Sequence, residues 1–190
     1  MTRLPAKEKP MPVFSVTFRF LALAALWLSL RATAADYELE PLAEGLQHPW
    51  SIAQLPDASF LVTERGGTLL HISADGSERT AIGGVPQTFV AGQGGFFDIL
   101  LHPQFATNQL VYLSYAKGDS AANGTAIYRA RLEGDTLVAG ADILWVNDKK
   151  NTAQHYGGRL LFLPDNSLLL ATGDGFDFRE KAQNGSNELG

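Results

Sequence analysis

The stretch "GGRLLFLPDNSLLLATGD", residues 157–174, has the pattern of a β-hairpin, two short apolar strands joined by a turn. The strand candidates are "RLLFL" and "LLLAT", and the "PDNS" between them combines Pro, Asp and Asn, which favour tight turns. Two earlier stretches follow the same template, "WSIAQLPDASFLVTE" (50–64) and "GGFFDILLHPQFATNQLVYLSYA" (94–116). The chain therefore contains a repeated hairpin.

The spacing of this hairpin predicts the fold class. Pro56, Pro103 and Pro164, one in each turn, lie 47 and 61 residues apart, close to the length of one four-stranded propeller blade with a variable loop. Short apolar runs bounded by turn residues recur at 59–65, 68–73, 96–101, 110–116, 125–132, 159–163 and 168–172. The sequence thus predicts an all-β protein of the β-propeller class. A β-sandwich also has closely spaced strands, but it does not predict the same hairpin returning at blade intervals.

The length of the chain limits how much of a propeller it contains. A six-bladed propeller of roughly 45 to 50 residues per blade needs about 300 residues, and this chain has 190. We therefore expect only two to three blades here, from the N-terminal part of a six-bladed propeller in the intact protein. Residues 35–190 alone would leave sheet edges and apolar faces open, so we expect them to be poorly soluble and inactive.

The first 34 residues have the pattern of an export signal. Four basic residues precede the apolar run "FLALAALWLSL" (20–30), and "ATA" (32–34) offers a small-x-small cleavage site. Eleven apolar residues are far fewer than the roughly 20 that span a bilayer. We therefore predict a cleaved signal peptide over residues 1–34, with Met11 as an alternative start, no membrane span after cleavage, a propeller domain from residue 35 and a periplasmic location.

Charge and composition exclude several classes of partner and site. The whole chain carries a net charge of −5, and residues 1–34 hold five basic side chains and one acid, so the remainder carries −9. An acidic surface of this kind argues against nucleic acid as a partner, because phosphates need a basic face. The chain has no cysteine, and its four histidines are dispersed. We therefore predict no disulfide and no metal site built from these residues.

The hairpin of residues 157–174 predicts a close pair of titratable side chains. A turn between Asp165 and Asn166 places Asp174 opposite Gly157, and His155 lies two positions further along the same strand. A carboxylate beside a histidine fixes one tautomer of the ring and stabilises the imidazolium that forms when the ring takes a proton. The residues alone leave two interpretations open: a general base with its orienting acid, or a loop histidine beside a turn-capping aspartate.

Aligning the three hairpins brings further polar residues to equivalent positions. Gln47 and His48, then Gln93, then His155 and Tyr156 precede the first strand of each hairpin. The first strand of a propeller blade normally lies nearest the central axis. We therefore expect these side chains to converge on one central pocket.

Three segments resemble a known family: "HPWSIAQLPDASFLVTERGG" (48–67), "VAGQGGFFDILLHPQF" (90–105) and "HYGGRLLFLPDNSLLLATGD" (155–174). They are similar to the soluble, quinone-dependent aldose sugar dehydrogenases of the glucose/sorbosone dehydrogenase family, and the resemblance extends from about residue 37 to the end of the chain. It implies a six-bladed β-propeller that binds pyrroloquinoline quinone and calcium. It also implies oxidation of the C1 hydroxyl of aldose sugars to lactones, with an external electron acceptor.

The resemblance also assigns site residues. The histidine that opens the family's His-x-Gly-Gly-Arg-Leu motif is its catalytic base, and here it corresponds to His155. The aspartate of the Gly-Asp after the hairpin orients that base and corresponds to Asp174, and the glutamine of Gly-Gln-Gly-Gly, near sugar and quinone, corresponds to Gln93. The family's calcium ligands and quinone-gripping cations would lie beyond residue 190, so the resemblance assigns no metal ligand here.

Two other functions are compatible with a propeller of this kind. A calcium-dependent propeller lactonase would need inward carboxylates and amides from several blades, and only Gln93 and Asp174 lie near such positions. A non-catalytic propeller binding module is the second alternative. A pure binding surface has no need of an oriented base, so the predicted pair of His155 and Asp174 favours the oxidoreductase.

Overall fold

The computed structural model describes residues 37–147, 149–177 and 179–186. A short first unit ends at Glu40, and its described part, residues 37–40, is irregular and exposed. The second unit begins at Pro41 and holds all the strands described below. The predicted signal peptide, residues 1–34, lies outside the described residues, and its cleavage stays a prediction. Within the described ranges, no helix is long and apolar enough to cross a membrane.

The described residues form two four-stranded antiparallel sheets and one separate hairpin. The first sheet has the order β1 (Pro49–Gln54), β2 (Phe60–Glu64), β3 (Thr68–Ile72) and β4 (Arg79–Ala81). The second has the order β5 (Phe96–Leu101), β6 (Leu110–Gly118), β7 (Asn123–Glu133) and β8 (Thr136–Trp145), and β9 (Gly157–Phe162) pairs with β10 (Leu168–Thr172). Two complete blades and the first hairpin of a third are therefore present, which confirms the all-β propeller class.

Some elements differ from the sequence prediction. The outer strands β4 and β8 are not among the predicted strands, and most of their residues are exposed, so they lack the apolar alternation that marks a half-buried strand. A one-turn helix, α1 (Phe105–Asn108), lies between β5 and β6 where only turn chemistry is predicted. A 3₁₀ helix covers Arg179–Gln183.

The core lies between neighbouring sheets. Leu61 and Leu69 of the first sheet pack in one cluster with Phe96, Val111 and Leu113 of the second, and all five are fully buried. A second cluster joins the second sheet to the hairpin through Tyr112, Ile127 and Leu160, with Leu100, Leu110, Phe162, Leu168 and Leu170 against it. Alternate residues of each strand are thus buried between sheets, the arrangement that stacks propeller blades.

The three inner strands share a local distortion near their first residues. β1 has one extra residue relative to β2 at Trp50, β5 has one relative to β6 between Phe96 and Ile99, and β9 has one relative to β10 between Gly157 and Leu160. Such bulges bend a strand and redirect its side chains. Each inner strand is therefore bent near its first residues, close to the predicted site residues that precede it in the sequence.

A buried carboxylate ties the three inner strands together. Asp98 on β5 is 3% exposed and accepts hydrogen bonds from the Ser51 hydroxyl of β1 (2.5 Å), the Arg159 guanidinium (3.0 Å) and the Leu160 backbone N–H of β9 (2.8 Å). Its own N–H donates to the Ser114 hydroxyl (2.9 Å), which in turn donates to the Gly158 carbonyl. Because a buried carboxylate needs several donors, this network fixes how β1, β5 and β9 sit relative to one another.

Candidate active site

The structure brings His155 and Asp174 into direct contact. The Nδ1 atom of His155 lies 2.7 Å from an Oδ1 atom of Asp174. The His155 side chain is 41% exposed and that of Asp174 is 37% exposed, so the pair lies at the surface of the described residues. An ionised carboxylate can only accept a hydrogen bond, which puts the ring proton on Nδ1 and leaves Nε2 as a free acceptor. Within the described residues, nothing hydrogen-bonds to Nε2.

The hairpin register that achieves this contact differs from the prediction. The sequence predicts Asp174 opposite Gly157, but Thr172 is the residue that pairs with Gly157. Leu170 pairs with Leu160, so the hairpin is already one residue off the predicted register before the bulge, and the extra residue in β9, where Gly158 has a φ of +114°, adds the second. Asp174 is therefore shifted toward His155, which makes the pair closer than an ideal hairpin would.

The charge state of Asp174 is set by its hydrogen bonds. The backbone N–H of Phe176 donates to Asp174 at 2.9 Å. That hydrogen bond, and next the one from His155, hold the pKa of Asp174 below its usual value, and the charge of Arg179 acts in the same direction. Asp174 is therefore a carboxylate at neutral pH. It can orient the His155 ring and stabilise its protonated form.

The backbone at His155 has an unusual conformation. Its φ is +49°, in the left-handed region that few residues other than glycine adopt. The Gln93 side chain, 62 residues earlier in the chain, accepts the His155 backbone N–H through Oε1 at 2.8 Å. The backbone N–H of Gln93 donates to the Ala153 carbonyl at 2.8 Å. The three predicted site residues are therefore joined, with Gln93 holding the His155 peptide and Asp174 holding its ring.

The other residues expected to converge do not join this group. Tyr156 is 3% exposed, its ring packs 5.5 Å from that of Phe97, and its hydroxyl donates to the Asn123 side chain at 2.7 Å. Gln47 and His48 are exposed, and no hydrogen bond links either to Gln93 or His155 within the described residues. Tyr156, which immediately precedes β9, therefore packs in the core with Phe97 and Ala116.

Two neighbours of the pair are absent from the sequence prediction. The ring of Phe176 meets that of His155 edge to face at a centroid distance of 5.1 Å, and it limits how far the imidazole can turn. Lys150 is 4% exposed and interacts electrostatically with Asp174. In the sequence, Lys150 stands in the polar stretch "NDKKNTAQ", which is typical of an exposed loop and gives no sign that a lysine there is buried.

The candidate site is an open surface in the described residues. A cleft of about 370 Å³ lies beside α1, and one of about 630 Å³ lies between Phe89, Lys117 and Asp142; neither is lined by His155 or Asp174. No group of three or more His, Asp or Glu side chains is placed to hold a metal ion in the described ranges. The arrangement provides an oriented base, a partner carboxylate and an amide, which suits proton removal from a hydroxyl.

Comparisons with known proteins agree with these features. Residues 46–190 match the family model described as Glucose / Sorbosone dehydrogenase. The aldose sugar dehydrogenase YliI of Escherichia coli K12 is 37% identical over 163 residues, which covers 83% of this chain and 44% of that protein.

Solved structures give the same result. The soluble aldose sugar dehydrogenase of E. coli in its apo form matches with a TM-score of 0.72 and 36% identity, over 79% of this chain and 44% of that one. The PQQ-bound form of aldose sugar dehydrogenase from Streptomyces coelicolor matches with a TM-score of 0.70 and 29% identity, over 81% of this chain and 46% of that one. The chain thus spans less than half the length of these relatives. The resemblance drawn from the sequence motifs is confirmed, and the chain belongs to the glucose/sorbosone dehydrogenase family.

Proposed function

We propose that this chain is part of an enzyme that oxidises the C1 hydroxyl of aldose sugars to lactones, with His155 as the general base and pyrroloquinoline quinone as the cofactor. The observation that carries the proposal is the 2.7 Å contact between His155 and Asp174, in which the His155 side chain is 41% exposed and Nε2 has no hydrogen-bond partner among the described residues. The family match and the relatives whose names include aldose sugar dehydrogenase support the choice of substrate. The PQQ-bound relative supports the choice of cofactor.

The residues of this chain fit the part of a quinone site that faces the reacting groups. Gln93 uses Oε1 to accept the His155 N–H, so its amide N–H groups stay available as donors on the same exposed surface as Nε2. A planar quinone with several oxygen atoms requires donors of this kind. His155 and Gln93 are therefore the residues of this chain that would face the cofactor and the sugar. When bound, the quinone would supply the two-electron acceptor for the hydride that leaves C1.

The proton is the part of the reaction that this chain would handle. Nε2 of His155 accepts the proton of the C1 hydroxyl as the C1–H bond breaks and the C–O bond becomes a carbonyl. The ring is then an imidazolium, whose Nδ1–H donates to the Asp174 carboxylate. Because hydrogen bonds keep Asp174 ionised, it stabilises that cation without taking the proton itself. Gln93 keeps the His155 peptide in place during the transfer.

Calcium is a separate prediction. The described residues contain no cluster that could hold it, and its expected ligands lie beyond residue 190.

The direct test is dye-linked oxidation of glucose and other aldoses by the complete gene product that contains this chain, reconstituted with pyrroloquinoline quinone and calcium. We expect quinone-dependent turnover that falls by roughly 10² or more in His155→Ala, the scale of losing a general base. A folded wild-type protein with no turnover of any aldose would contradict the proposal. Calcium-dependent lactone hydrolysis without quinone would assign the site to the lactonase alternative.

The proposed location is the periplasm, which follows from the signal-like sequence of residues 1–34. N-terminal sequencing of the protein recovered from a periplasmic fraction should give a mature chain that begins near residue 35. Recovery of the uncleaved chain from the cytoplasm would contradict this location.

A further inference from the structure

Lys150 is a buried cation immediately behind the proposed base. It is 4% exposed, and its ammonium donates to the Gln154 carbonyl. The ammonium also lies 3.5 Å from the centroid of the Tyr156 ring, which is a cation–π contact. Within the described residues, Lys150 forms no salt bridge with a carboxylate. A buried charge without a direct counter-ion is costly, and such groups concentrate at functional sites.

The contacts of Lys150 bracket His155 along the chain. Gln154 and Tyr156, the residues on either side of His155, both contact the ammonium. The lysine backbone is itself anchored to the start of β7, because its N–H donates to the Asn123 carbonyl at 2.9 Å and its carbonyl accepts the Asn123 N–H at 2.8 Å. The left-handed φ of His155 persists only if its surroundings hold it, and Lys150 supplies part of that support from the buried side.

The charge of Lys150 also acts on the pair. Burial lowers the pKa of Lys150 to about 8, while attraction to Asp174 acts in the opposite direction. The side chain is therefore mainly an ammonium at neutral pH. The cations Lys150 and Arg179 both attract the Asp174 carboxylate, which in turn binds the His155 ring. Lys150 therefore acts on the proposed base through its carboxylate partner.

We propose that Lys150 is a positioning residue for His155, which holds the peptide of the base through Gln154 and Tyr156 and whose charge acts on Asp174, the carboxylate that orients the ring. The inference rests on the proposed role of His155 as a base. Lys150 itself does not touch the substrate in this proposal. It supports the conformation of the residue that does and acts electrostatically on that residue's carboxylate partner.

The test compares substitutions of Lys150 in the complete gene product. Lys150→Met removes both the donor and the charge, Lys150→Gln keeps a donor for the Gln154 carbonyl without the charge, and Lys150→Arg keeps the charge. Lys149→Met is the matched control, because the neighbouring lysine lies over the Trp145 ring, with its ammonium 4.0 Å from the centroid, instead of over Tyr156.

Two readouts separate positioning from a merely structural role. In the pH profile of kcat/KM, we expect the acid limb to move to higher pH by about half a unit or more in Lys150→Met and Lys150→Gln, because an Asp174 carboxylate that no longer faces the Lys150 cation stabilises the imidazolium more strongly. Lys150→Arg and Lys149→Met should leave that limb unchanged. In NMR titrations of the apoprotein, the midpoint of the His155 ring signal should also move to higher pH in Lys150→Met and Lys150→Gln. This measurement does not require enzyme turnover.

The outcomes are distinguishable from those of the proposed function. If the wild type oxidises no sugar but the NMR midpoint of His155 still moves in Lys150→Gln, the proposed function fails and the positioning role stands. If sugar oxidation depends on His155 but both midpoints stay unchanged in folded Lys150→Gln, the role of Lys150 is overturned. If Lys150→Met does not fold, the comparison of Lys150→Gln with Lys150→Arg still shows whether the midpoint moves when the charge is lost.

Discussion

His48 and His155 occupy the same backbone position in two hairpins of the repeat but have different surroundings. Both precede an inner strand, and both have a left-handed φ, +53° and +49°. The His48 carbonyl accepts the Arg65 N–H at 3.1 Å, and the His155 carbonyl accepts the Gly175 N–H at 3.4 Å. The local backbone is therefore nearly the same in the two hairpins.

The acids that accompany the two histidines differ in what they bind. Glu64 precedes Arg65 as Asp174 precedes Gly175, but the Glu64 carboxylate accepts the Gln47 backbone N–H at 2.6 Å. Glu64 is 7% exposed, and the His48 ring has no hydrogen-bond partner within the described residues. The Asp174 carboxylate binds the His155 ring instead. An acidic residue at the equivalent position of the repeat is therefore not sufficient to form a histidine–carboxylate pair. The carboxylate must also reach the histidine ring, as Asp174 does and Glu64 does not.

The largest expected effect separates the two histidines directly. His155→Ala should lower kcat/KM for aldose oxidation by roughly 10² or more, because it removes the proton acceptor. His48→Ala, the matched control, should change kcat/KM by no more than about twofold, since the His48 ring has no oriented partner. Equal losses in the two variants, measured by steady-state kinetics on the complete gene product, would show that the repeat position and not the carboxylate determines the role.

The second effect concerns the two acids. Asp174→Asn keeps an acceptor for the Phe176 N–H but removes the charge that stabilises the imidazolium, so we expect kcat/KM to fall by about 10-fold or more and the acid limb of its pH profile to move to lower pH. Because the pKa of Asp174 lies below its usual value, its charge is present at neutral and mildly acidic pH and is lost only as pH falls through the lowered pKa.

The control for Asp174→Asn is Glu64→Gln, which alters the equivalent acid of the first hairpin. Its effect should appear in thermal denaturation, because Glu64 is buried and holds a backbone N–H. The acid limb of the activity profile should not move. A shift of that limb in Glu64→Gln would mean that the first hairpin also contributes charge to the site.

A smaller effect is expected for the two glutamines. Gln93→Leu removes the acceptor of the His155 N–H, and we expect kcat/KM to fall by about 5- to 10-fold, the scale of one hydrogen bond. Gln47→Leu is the matched control, since among the described residues the Gln47 side chain donates only to the nearby Gly45 carbonyl, at 3.2 Å. A loss in Gln47→Leu as large as in Gln93→Leu would argue that both inner strands face the substrate.

The smallest effect is expected for Tyr156, which follows His155 but points into the core. Tyr156→Phe loses the hydrogen bond from the hydroxyl to Asn123 and keeps the ring. We expect the free energy of unfolding to fall by about 1 kcal/mol, the usual net value of one such bond. Denaturant unfolding measures the free energy of unfolding, and steady-state kinetics on the same variant measures kcat/KM. A larger loss of kcat/KM than in Gln93→Leu would place the tyrosine hydroxyl at the reaction.

The sequence predicted those parts of the molecule that depend on neighbouring residues. The hairpin of residues 157–174 and its turn follow from apolar runs and turn chemistry, and the closeness of His155 to Asp174 follows from a single antiparallel pairing. The exact register does not follow, because the bulge at Gly158 is stabilised by contacts with another sheet, including the hydrogen bond from Ser114. The outer strands β4 and β8 were missed because their exposed residues carry little pattern.

By itself, the amino-acid sequence determined the all-β class, the blade repeat, the family and the pairing of a histidine with an aspartate. Only the tertiary structure decided that Gln93 holds the His155 peptide, that Asp98 links three inner strands and that Lys150 is buried against the neighbours of His155. The physical reason is the separation along the sequence over which each interaction acts. Strand pairing and turn formation depend on adjacent residues, whereas burial and hydrogen bonding across 60 residues depend on how the blades pack against one another.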